Sequence, residues 1–201
     1  MSKTLLIATH NRGKVKEIAR MLAAEAVEFL TLADLDIDHD VEETAPDFLG
    51  NARLKAEAYA RMSGYLTLAD DSGLEVDALG GAPGVHTKRY GGAELDDEGR
   101  YRHLLANLAA VPTGERGARF RCVMVLAGPD GAELGWAEGV CEGRIAGEPA
   151  GANGFGYDPV FYLPELDRTM AQLTGAEKNE RSHRGRALAA IAPLLKEQLA
   201  G

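Results

Sequence analysis

The chain has 201 residues, a formal net charge of −9 and an apolar fraction of 45%. This length suits one domain with a substantial core, and the composition is that of a globular rather than a disordered protein. The negative charge disfavours docking on duplex DNA or on an anionic membrane, so an anionic ligand would have to fit a local basic pocket. We therefore expect no nucleic-acid partner and no membrane partner. The two cysteines have no metal-binding or redox spacing, and we expect them to be reduced and buried in a cytoplasmic protein.

The first predicted elements are a strand at residues 4–8 and a helix that follows it directly. The strand is expected to be buried on both faces because its apolar residues do not alternate, and it is too short for a secretion signal. Apolar residues recur at helical spacing from Val15 to Leu22, with Asn11 or Thr9 as the expected N-cap. The turn at residues 9–14 combines capping side chains, a glycine and two cations. It can bind phosphate at the helix N-terminus, or it is only a capped helix start.

An acidic, irregular stretch at residues 31–47 is typical of a solvated edge strand or loop. A helix is predicted from Pro46 to near Gly64, which is a typical residue just past a helix end. On that helix, Asn51 and Lys55 are four residues apart and share a face. That face looks either into a pocket or into water.

The apolar run at residues 65–68 is followed by two adjacent acids, Asp70 and Asp71. This pattern predicts a buried strand that delivers carboxylates to its carboxyl end, where α/β sheets usually place ligand sites. Two carboxylates there indicate Mg²⁺, which takes one or two of them together with substrate phosphates. The alternative is that residues 70–73 form only a polar turn.

The middle of the chain predicts a change from parallel to antiparallel structure. Residues 80–92 are expected to form a loop, and a helix begins near Asp96. Strands are predicted at residues 120–126 and 133–145, joined by a strong turn at residues 128–131. An antiparallel hairpin therefore interrupts the α/β pattern, and the sheet is predicted to be mixed.

Glycines surround an aromatic side chain in residues 151–161. They would let the backbone approach a flat ligand, Phe155 would offer a stacking face, and Asp158 could accept hydrogen bonds from a base edge. A glycine-rich bend between strands is the alternative.

The last segment begins with a predicted capping box at residues 174–177 and ends in an amphipathic helix. Lys178, His183 and Arg184 precede that helix and are predicted to cluster at its start. Such a cluster would form a second site for an anion or a base edge, or it is a solvated run of charges.

Six segments, taken in order, resemble one known family. They are Thr9-x-Asn11-x-x-Lys14, Asn51-Ala52-x-x-Lys55-Ala56, Ala69-Asp70-Asp71-Ser72-Gly73-Leu74, Gly80-Gly81-Ala82-Pro83-Gly84-Val85 with Arg89-Tyr90, Gly154-Phe155-Gly156-Tyr157-Asp158-Pro159-x-Phe161, and Glu177-Lys178 with Ser182-His183-Arg184. In their order and spacing, the chain closely resembles the RdgB-type family of non-canonical purine nucleoside triphosphate pyrophosphatases, the inosine/xanthosine triphosphatases. The resemblance covers nearly the full length.

The resemblance implies a single bilobed domain over residues 1–201, with an ITPase/Maf-like α/β fold. That fold is an elongated mixed β-sheet with flanking helices and two lobes around a central cleft. The implied activity is Mg²⁺-dependent hydrolysis of ITP, dITP and XTP to the monophosphate and pyrophosphate, which cleanses the nucleotide pool. The implied assembly is a homodimer.

The resemblance also implies roles for individual residues. Asp71 would be the catalytic base and, with Asp70, would hold the metal. Ser72 would contact substrate, Phe155 would stack on the purine, and Asp158 would help to read the base. The full implied substrate-binding set is Thr9, His10, Asn11, Arg12, Gly13, Lys14, Ser72, Phe155, Gly156, Tyr157, Asp158, Lys178, His183 and Arg184.

One position departs from the family pattern. Many relatives carry a glutamate assigned to the metal just before the Asn-Ala pair, where this chain has Gly50. The metal is then expected on Asp71, with Asp70, Glu43 or Glu75 as a supporting or replacement group. Two alternatives follow: a nucleotide-binding protein that has lost efficient turnover, and a Maf-like enzyme that acts on other nucleotides. The motifs around Phe155 and His183 argue against the Maf-like enzyme.

Overall fold

The computed structural model describes residues 4–24 and 27–200, and in this part of the chain seven strands form one sheet. The strands are β1 (Leu5–Ile7), β2 (Phe29–Thr31), β3 (Leu66–Val76), β4 (Gly117–Ala127), β5 (Glu133–Ile145), β6 (Phe161–Leu163) and β7 (Arg168–Thr169), and their order in the sheet is β2-β1-β3-β4-β5-β6-β7. The α-helices are α1 (Arg12–Ala24), α2 (Phe48–Ser63), α3 (Asp97–Asn107), α4 (Gly175–Arg181) and α5 (His183–Ala200).

The sheet is mixed, as the sequence predicts. Strand β1 pairs in parallel with both β2 and β3, whereas β6 pairs antiparallel with β5 and β7. A five-residue connection joins β4 to its neighbour β5, and so short a connection requires antiparallel strands. Within that turn, the Gly131 N–H donates to the Gly128 carbonyl over 2.8 Å. The predicted hairpin is therefore confirmed.

The chain divides into two compact units. Unit 1 comprises the chain up to Asp71, Cys122–Gly139, and the chain from His183 onward; unit 2 comprises Ser72–Arg121 and Val140–Ser182. The core of unit 1 packs β1 and the first part of β3 with α1 and α5. Its buried apolar residues include Leu5, Ile7, Ile18, Leu22, Leu68, Cys122, Met124, Ala187, Ile191 and Leu195.

Unit 2 has its own core, built around α3 and the strand segments that fall in this unit. Its buried apolar residues include Leu74, Val76, Leu104, Leu108, Phe120, Cys141, Tyr157, Val160, Phe161 and Met170. The rings of Phe120 and Phe161 pack with their centroids 4.4 Å apart. Each unit thus buries one of the two cysteines, and Cys122 and Cys141 form no disulfide, as predicted.

Helix starts follow the predicted capping chemistry. The Asn11 side chain accepts the N–H groups of Gly13 and Lys14 over 2.9 and 3.2 Å, so Asn11 is the cap of α1. Helix α2 ends at Ser63, and the C-cap residue Gly64 has the left-handed φ of 70° that glycine adopts freely. The capping box predicted at Thr174 and Glu177 is present at the start of α4.

Two local predictions were wrong. Strand β3 does not end at the two acids but continues to Val76, because Leu74 and Val76 are both fully buried in the core of unit 2. The stretch around Asp71 is therefore strand and not a polar turn. The predicted loop at residues 80–92 contains a 3₁₀ helix at Gly84–Arg89.

Within the described residues, none of the helices combines the length and the apolar character that crossing a membrane requires.

Candidate active site

The turn at residues 9–14 connects β1 to α1 in unit 1. The Thr9 hydroxyl accepts the Asn11 N–H over 3.2 Å, and the Asn11 cap orients the first turn of the helix. His10 and Arg12 are exposed, and the Lys14 side chain is 12% exposed. The capped helix start is thus confirmed, and phosphate binding by its cations stays a prediction.

Asp70 lies inside β3, beyond the carboxyl end of β1, whose last residue pairs with Leu68. Its Oδ2 atom is 2.9 Å from Lys14 Nζ and 3.8 Å from Arg184 Nε. Burial works to raise the pKa of Asp70, but the charges of Lys14, Arg184 and Lys55 outweigh it and hold that pKa well below its usual range. Asp70 is therefore a permanent buried anion that is balanced by cations.

Asp71, the next residue, has a different environment. Its Oδ1 lies 3.3 Å from Lys55 Nζ, and its Oδ2 accepts the Asn51 side-chain N–H over 3.3 Å. Burial raises the pKa of Asp71, with Lys55 and Lys14 opposing the shift. A carboxylate with a raised pKa accepts a proton more readily than an ordinary one, which suits a general base. The face of α2 that carries Asn51 and Lys55 thus looks into the site and not into water.

Glu43 comes to the same place from the irregular stretch before α2. Its Oε1 is 2.5 Å from Lys55 Nζ, so Lys55 bridges Glu43 and Asp71. The stretch is anchored by the Tyr59 hydroxyl, which donates to the His39 carbonyl over 3.0 Å. The acidic segment predicted as a solvated loop therefore also delivers a carboxylate to the site.

The start of α5 is buried in unit 1. His183 and Arg184 are 5% and 2% exposed, respectively, so the solvated alternative for this part of the sequence is wrong. Arg184 Nη1 donates to Glu17 Oε2 on α1, in addition to the approach to Asp70. The close packing of α5 on β5 needs a glycine at position 139, because a Cβ there would collide with the backbone of His183 and Ala187.

A second group of predicted residues lies in unit 2. Asp158 Oδ2 accepts the Phe155 N–H over 2.9 Å and lies 2.5 Å from Lys178 Nζ. The same ammonium lies over the Phe155 ring, 5.0 Å from its centroid. Gly154 has a φ of +81°, and a Cβ there would collide with the Asp158 carboxylate. Gly154 thus allows one carboxylate to contact both the Phe155 backbone and the Lys178 ammonium.

Two further contacts hold this loop. The Gly156 N–H donates to Asp97 Oδ2 over 2.7 Å, and the Tyr157 hydroxyl donates to the Thr87 carbonyl over 2.9 Å. Ser72 is half-buried on β3 and is also in unit 2.

The predicted cluster of Lys178, His183 and Arg184 at a single helix start was wrong. Helix α4 ends at Arg181, and Ser182 caps it before α5 begins. Lys178 pairs with Asp158 in unit 2, whereas Arg184 pairs with Glu17 and Asp70 in unit 1. The break in the helix thus sends the two cations to different carboxylates.

The residues around Asp71 fit a magnesium ion by their chemistry. Asp71 and Glu43 supply hard carboxylate oxygens around one lysine, which leaves this trio with a net negative charge. Asp70 Oδ1 is buried without a hydrogen-bond partner among the described residues. No group of three or more potential His, Cys, Asp or Glu ligands lies together in that part of the chain.

Position 50 is closed to a longer side chain. A Cβ on Gly50 would lie 2.5 Å from the Ala45 Cβ and 3.2 Å from Asp47 Oδ1, which caps α2. Glu43 is therefore better placed than position 50 to add a second carboxylate beside Asp71.

Sequence reasoning missed two residues of these groups, Glu17 and Asp97. Glu17 carries a weak signal, since it follows Lys14 by three residues and so shares its face of α1. Asp97 carries none, because the first turn of a helix often has acids for capping reasons alone.

Comparison with known proteins agrees with these motifs. The model of the Ham1 family matches residues 5–194. The dITP/XTP pyrophosphatase of Geobacillus kaustophilus is 47% identical over 199 residues, which cover 99% of this chain and 97% of the relative. The dITP/XTP pyrophosphatase of Bacillus subtilis is 44% identical over 194 residues, or 96% and 98% of the two chains.

Solved structures extend the likeness to the fold. A HAM1 protein from Coxiella burnetii superposes with a TM-score of 0.86 at 41% identity, over 97% of this chain and 99% of the other. The resemblance drawn from the six sequence segments is thus confirmed, and the chain belongs to the Ham1 family.

Proposed function

We propose that this protein hydrolyses dITP, ITP and XTP to the nucleoside monophosphate and pyrophosphate. The observation that carries the proposal is the pair of adjacent buried acids, Asp70 and Asp71, each with its own lysine. The names of the relatives in Geobacillus kaustophilus and Bacillus subtilis support the substrate class. The proposed reaction breaks the anhydride bond between the α- and β-phosphates with one water molecule.

The roles of the residues follow from their surroundings. Lys14 binds the phosphates at the positive, N-terminal end of α1, since cations and helix dipoles both favour anions there. Asp71 accepts the proton of the attacking water as a general base. Lys55 holds Asp71 in place beside Glu43.

We further propose that Asp71 and Glu43 hold Mg²⁺, with Asp70 as a supporting charge. When bound, the ion would neutralise charge on the phosphate oxygens and help to orient water. The protein residues position the substrate and stabilise its charge, because phosphoryl transfer depends mainly on these two effects and needs no protein nucleophile.

We assign recognition of the base to the group in unit 2. The Phe155 ring offers a stacking face, and its backbone N–H donates to Asp158. The Asp158 carboxylate can accept hydrogen bonds from a purine edge.

The test is a substrate panel with purified protein and Mg²⁺. ITP, dITP, XTP, ATP and GTP are each incubated, and the products are separated to distinguish pyrophosphate from orthophosphate. Release of pyrophosphate with ITP or XTP, abolished by EDTA, is expected. Binding of ITP without any product would support the alternative of a nucleotide-binding protein without turnover. Orthophosphate as the first product would overturn the proposed bond cleavage.

Homodimer formation and a cytoplasmic location stay proposals that are based on the family resemblance. Light scattering on the eluting protein at micromolar concentration tests the first, with a mass of twice 21.4 kDa expected. Fractionation of the native host tests the second.

A further inference from the structure

A set of four charges links α1, β3 and α5 within unit 1: Asp70 and Arg184 are buried, and Lys14 and Glu17 are half-buried. We call it the α1 tetrad. Arg184 donates to Glu17 on one side and approaches Asp70 to 3.8 Å on the other. Asp70 in turn lies 2.9 Å from Lys14. The tetrad contains two carboxylates and two cations, so its formal charges balance.

Asp70 makes a closer contact with one of its two cations, Lys14, than with the other, Arg184. Both approach the same oxygen, Oδ2, but only Lys14 is within hydrogen-bond distance. Arg184 is held back because its Nη1 is engaged by Glu17. Burial works against the charge of Arg184, yet Asp70 and Glu17 raise its pKa further above the usual range, so Arg184 is always a cation.

Removal of the Glu17 charge would change these two contacts. A buried guanidinium that loses one carboxylate draws more strongly on the remaining one, because an uncompensated buried charge is costly. Arg184 would then compete with Lys14 for Asp70 Oδ2. The Lys14 ammonium would lose the contact that fixes its position next to the turn at residues 9–14.

We propose that Glu17 is a positioning residue for the triphosphate: by holding Arg184, it keeps Asp70 paired with Lys14 and so orients Lys14 for phosphate binding. This inference rests on the proposed function for the identity of the ligand. It concerns binding of the phosphate chain and does not require turnover.

The first test compares Glu17→Gln with the wild type by calorimetry, using inorganic tripolyphosphate and inosine monophosphate as probes. Loss of one charge-assisted arrangement should weaken tripolyphosphate binding by about tenfold. Inosine monophosphate should change by less than about twofold, since Lys14 is assigned to the phosphate chain. Equal losses for the two ligands, or none, would overturn the proposal. Glu57→Gln is the matched control, because Glu57 pairs with Arg61 on the exposed face of α2.

The second test separates positioning from packing by removing the competitor as well. In Glu17→Gln/Arg184→Met, Arg184 no longer competes with Lys14, and an apolar replacement of a buried pair is often tolerated. Tripolyphosphate binding should return to within about twofold of the wild type. A loss that persists or deepens in the paired variant would show that Glu17 acts only through packing. Should Glu17→Gln not fold, the paired variant alone decides by the same criterion.

A double-mutant cycle provides the third test. If Glu17 acts through Lys14, then Glu17→Gln should have little further effect on tripolyphosphate binding in a Lys14→Ala background, whereas independent effects would add. Addition of the two losses would overturn the proposal. Binding of tripolyphosphate without hydrolysis of ITP would refute the proposed function and leave this inference standing, so the two can fail separately.

Discussion

Each unit buries a lysine that is paired with an aspartate, but the two pairs have different surroundings. In unit 1, Lys14 and Asp70 belong to the α1 tetrad, in which each charged group contacts at least one of opposite sign. In unit 2, Lys178 and Asp158 are fixed by an aromatic ring and a backbone N–H. We therefore expect that removal of one charge in unit 1 will alter the contacts of the other tetrad residues. Removal of one charge in unit 2 should alter only the contacts beside it.

Unit 1 also contains its own contrast, between neighbouring residues of one strand. Asp70 has a lowered pKa because cations outweigh its burial, whereas burial dominates at Asp71 and raises the pKa. The same residue type thus has a lowered pKa at one position and a raised pKa at the next, because the surroundings of the two carboxylates differ.

The largest expected effect tests this contrast directly. Asp71→Asn removes the proton acceptor, and turnover of ITP should fall by about 10²- to 10⁴-fold or more, since a general base alone contributes that much. Single-turnover kinetics measure the loss, and the circular dichroism spectrum checks the fold. A variant that keeps most of the wild-type rate would show that Asp71 is not the general base. Binding of tripolyphosphate serves as the control, because Lys14 is intact.

A smaller effect should follow from Lys14→Ala. Affinity for triphosphates should drop by roughly ten- to a hundredfold, the range for a lost charged hydrogen bond, and affinity for monophosphates should drop far less. Titration of the protein with ITP in Ca²⁺ and with inosine monophosphate compares the two. Lys16→Ala, an exposed neighbour on the same helix, is the control. Similar losses for both ligands would contradict the phosphate assignment.

In unit 2, Phe155→Ala should weaken all purine triphosphates together, by roughly five- to a hundredfold for the loss of one stacking contact. The measurement is kcat/KM for ITP and for ATP. A change in the ratio of the two would mean that the ring takes part in selectivity.

Arg184→Ala sharpens the same comparison. The role at the base edge implied by the family resemblance predicts a lower preference for ITP over ATP. The buried pairing with Glu17 and Asp70 predicts one common factor for both substrates, and this is the result that we expect. The base reader would then lie at Asp158 or in the backbone around Gly156. An altered ratio would restore the role at the base edge.

The smallest effect concerns an exposed contact of unit 2. A hydrogen bond from Arg168, together with those from Thr174, lowers the pKa of Glu177 to about 2. A lowered pKa in the folded state means that Glu177 adds stability above its unfolded pKa, and that this stability is lost as the pH falls toward about 2. Glu177→Gln should therefore melt slightly below the wild type at pH 7, and the gap should close on acidification. Glu180→Gln, on the same helix, is the control; a gap that is constant with pH would contradict the argument.

Local chemistry was the part of this structure that could be predicted from sequence. A few adjacent residues are enough to predict the caps at Asn11 and Thr174, the hairpin turn after β4, and the burial of β1 on both faces. The end of β3 could not be predicted, because residues 70–73 have the composition of a turn. Only the structure shows that Leu74, which follows them, is buried in the core of unit 2.

The pairing of charges was beyond sequence reasoning for a related reason. Glu17 and Arg184 are 167 residues apart, and only the packing of α5 against α1 brings them together. Lys178 and Arg184 are close in sequence, yet a single break at Ser182 gives them different partners. The spacing of residues in the sequence identifies the cations of a site, but the fold determines which carboxylate each cation contacts.

The close approach of Ala45 to Gly50 has a consequence for how the family diverges. The two positions have room for one Cβ between them, so a residue larger than glycine at position 50 requires a glycine at position 45. Relatives that carry the glutamate should therefore have lost the methyl group at position 45, and the two columns of an alignment should vary as a pair. By this reasoning the glycine at position 50 accommodates the methyl group of Ala45.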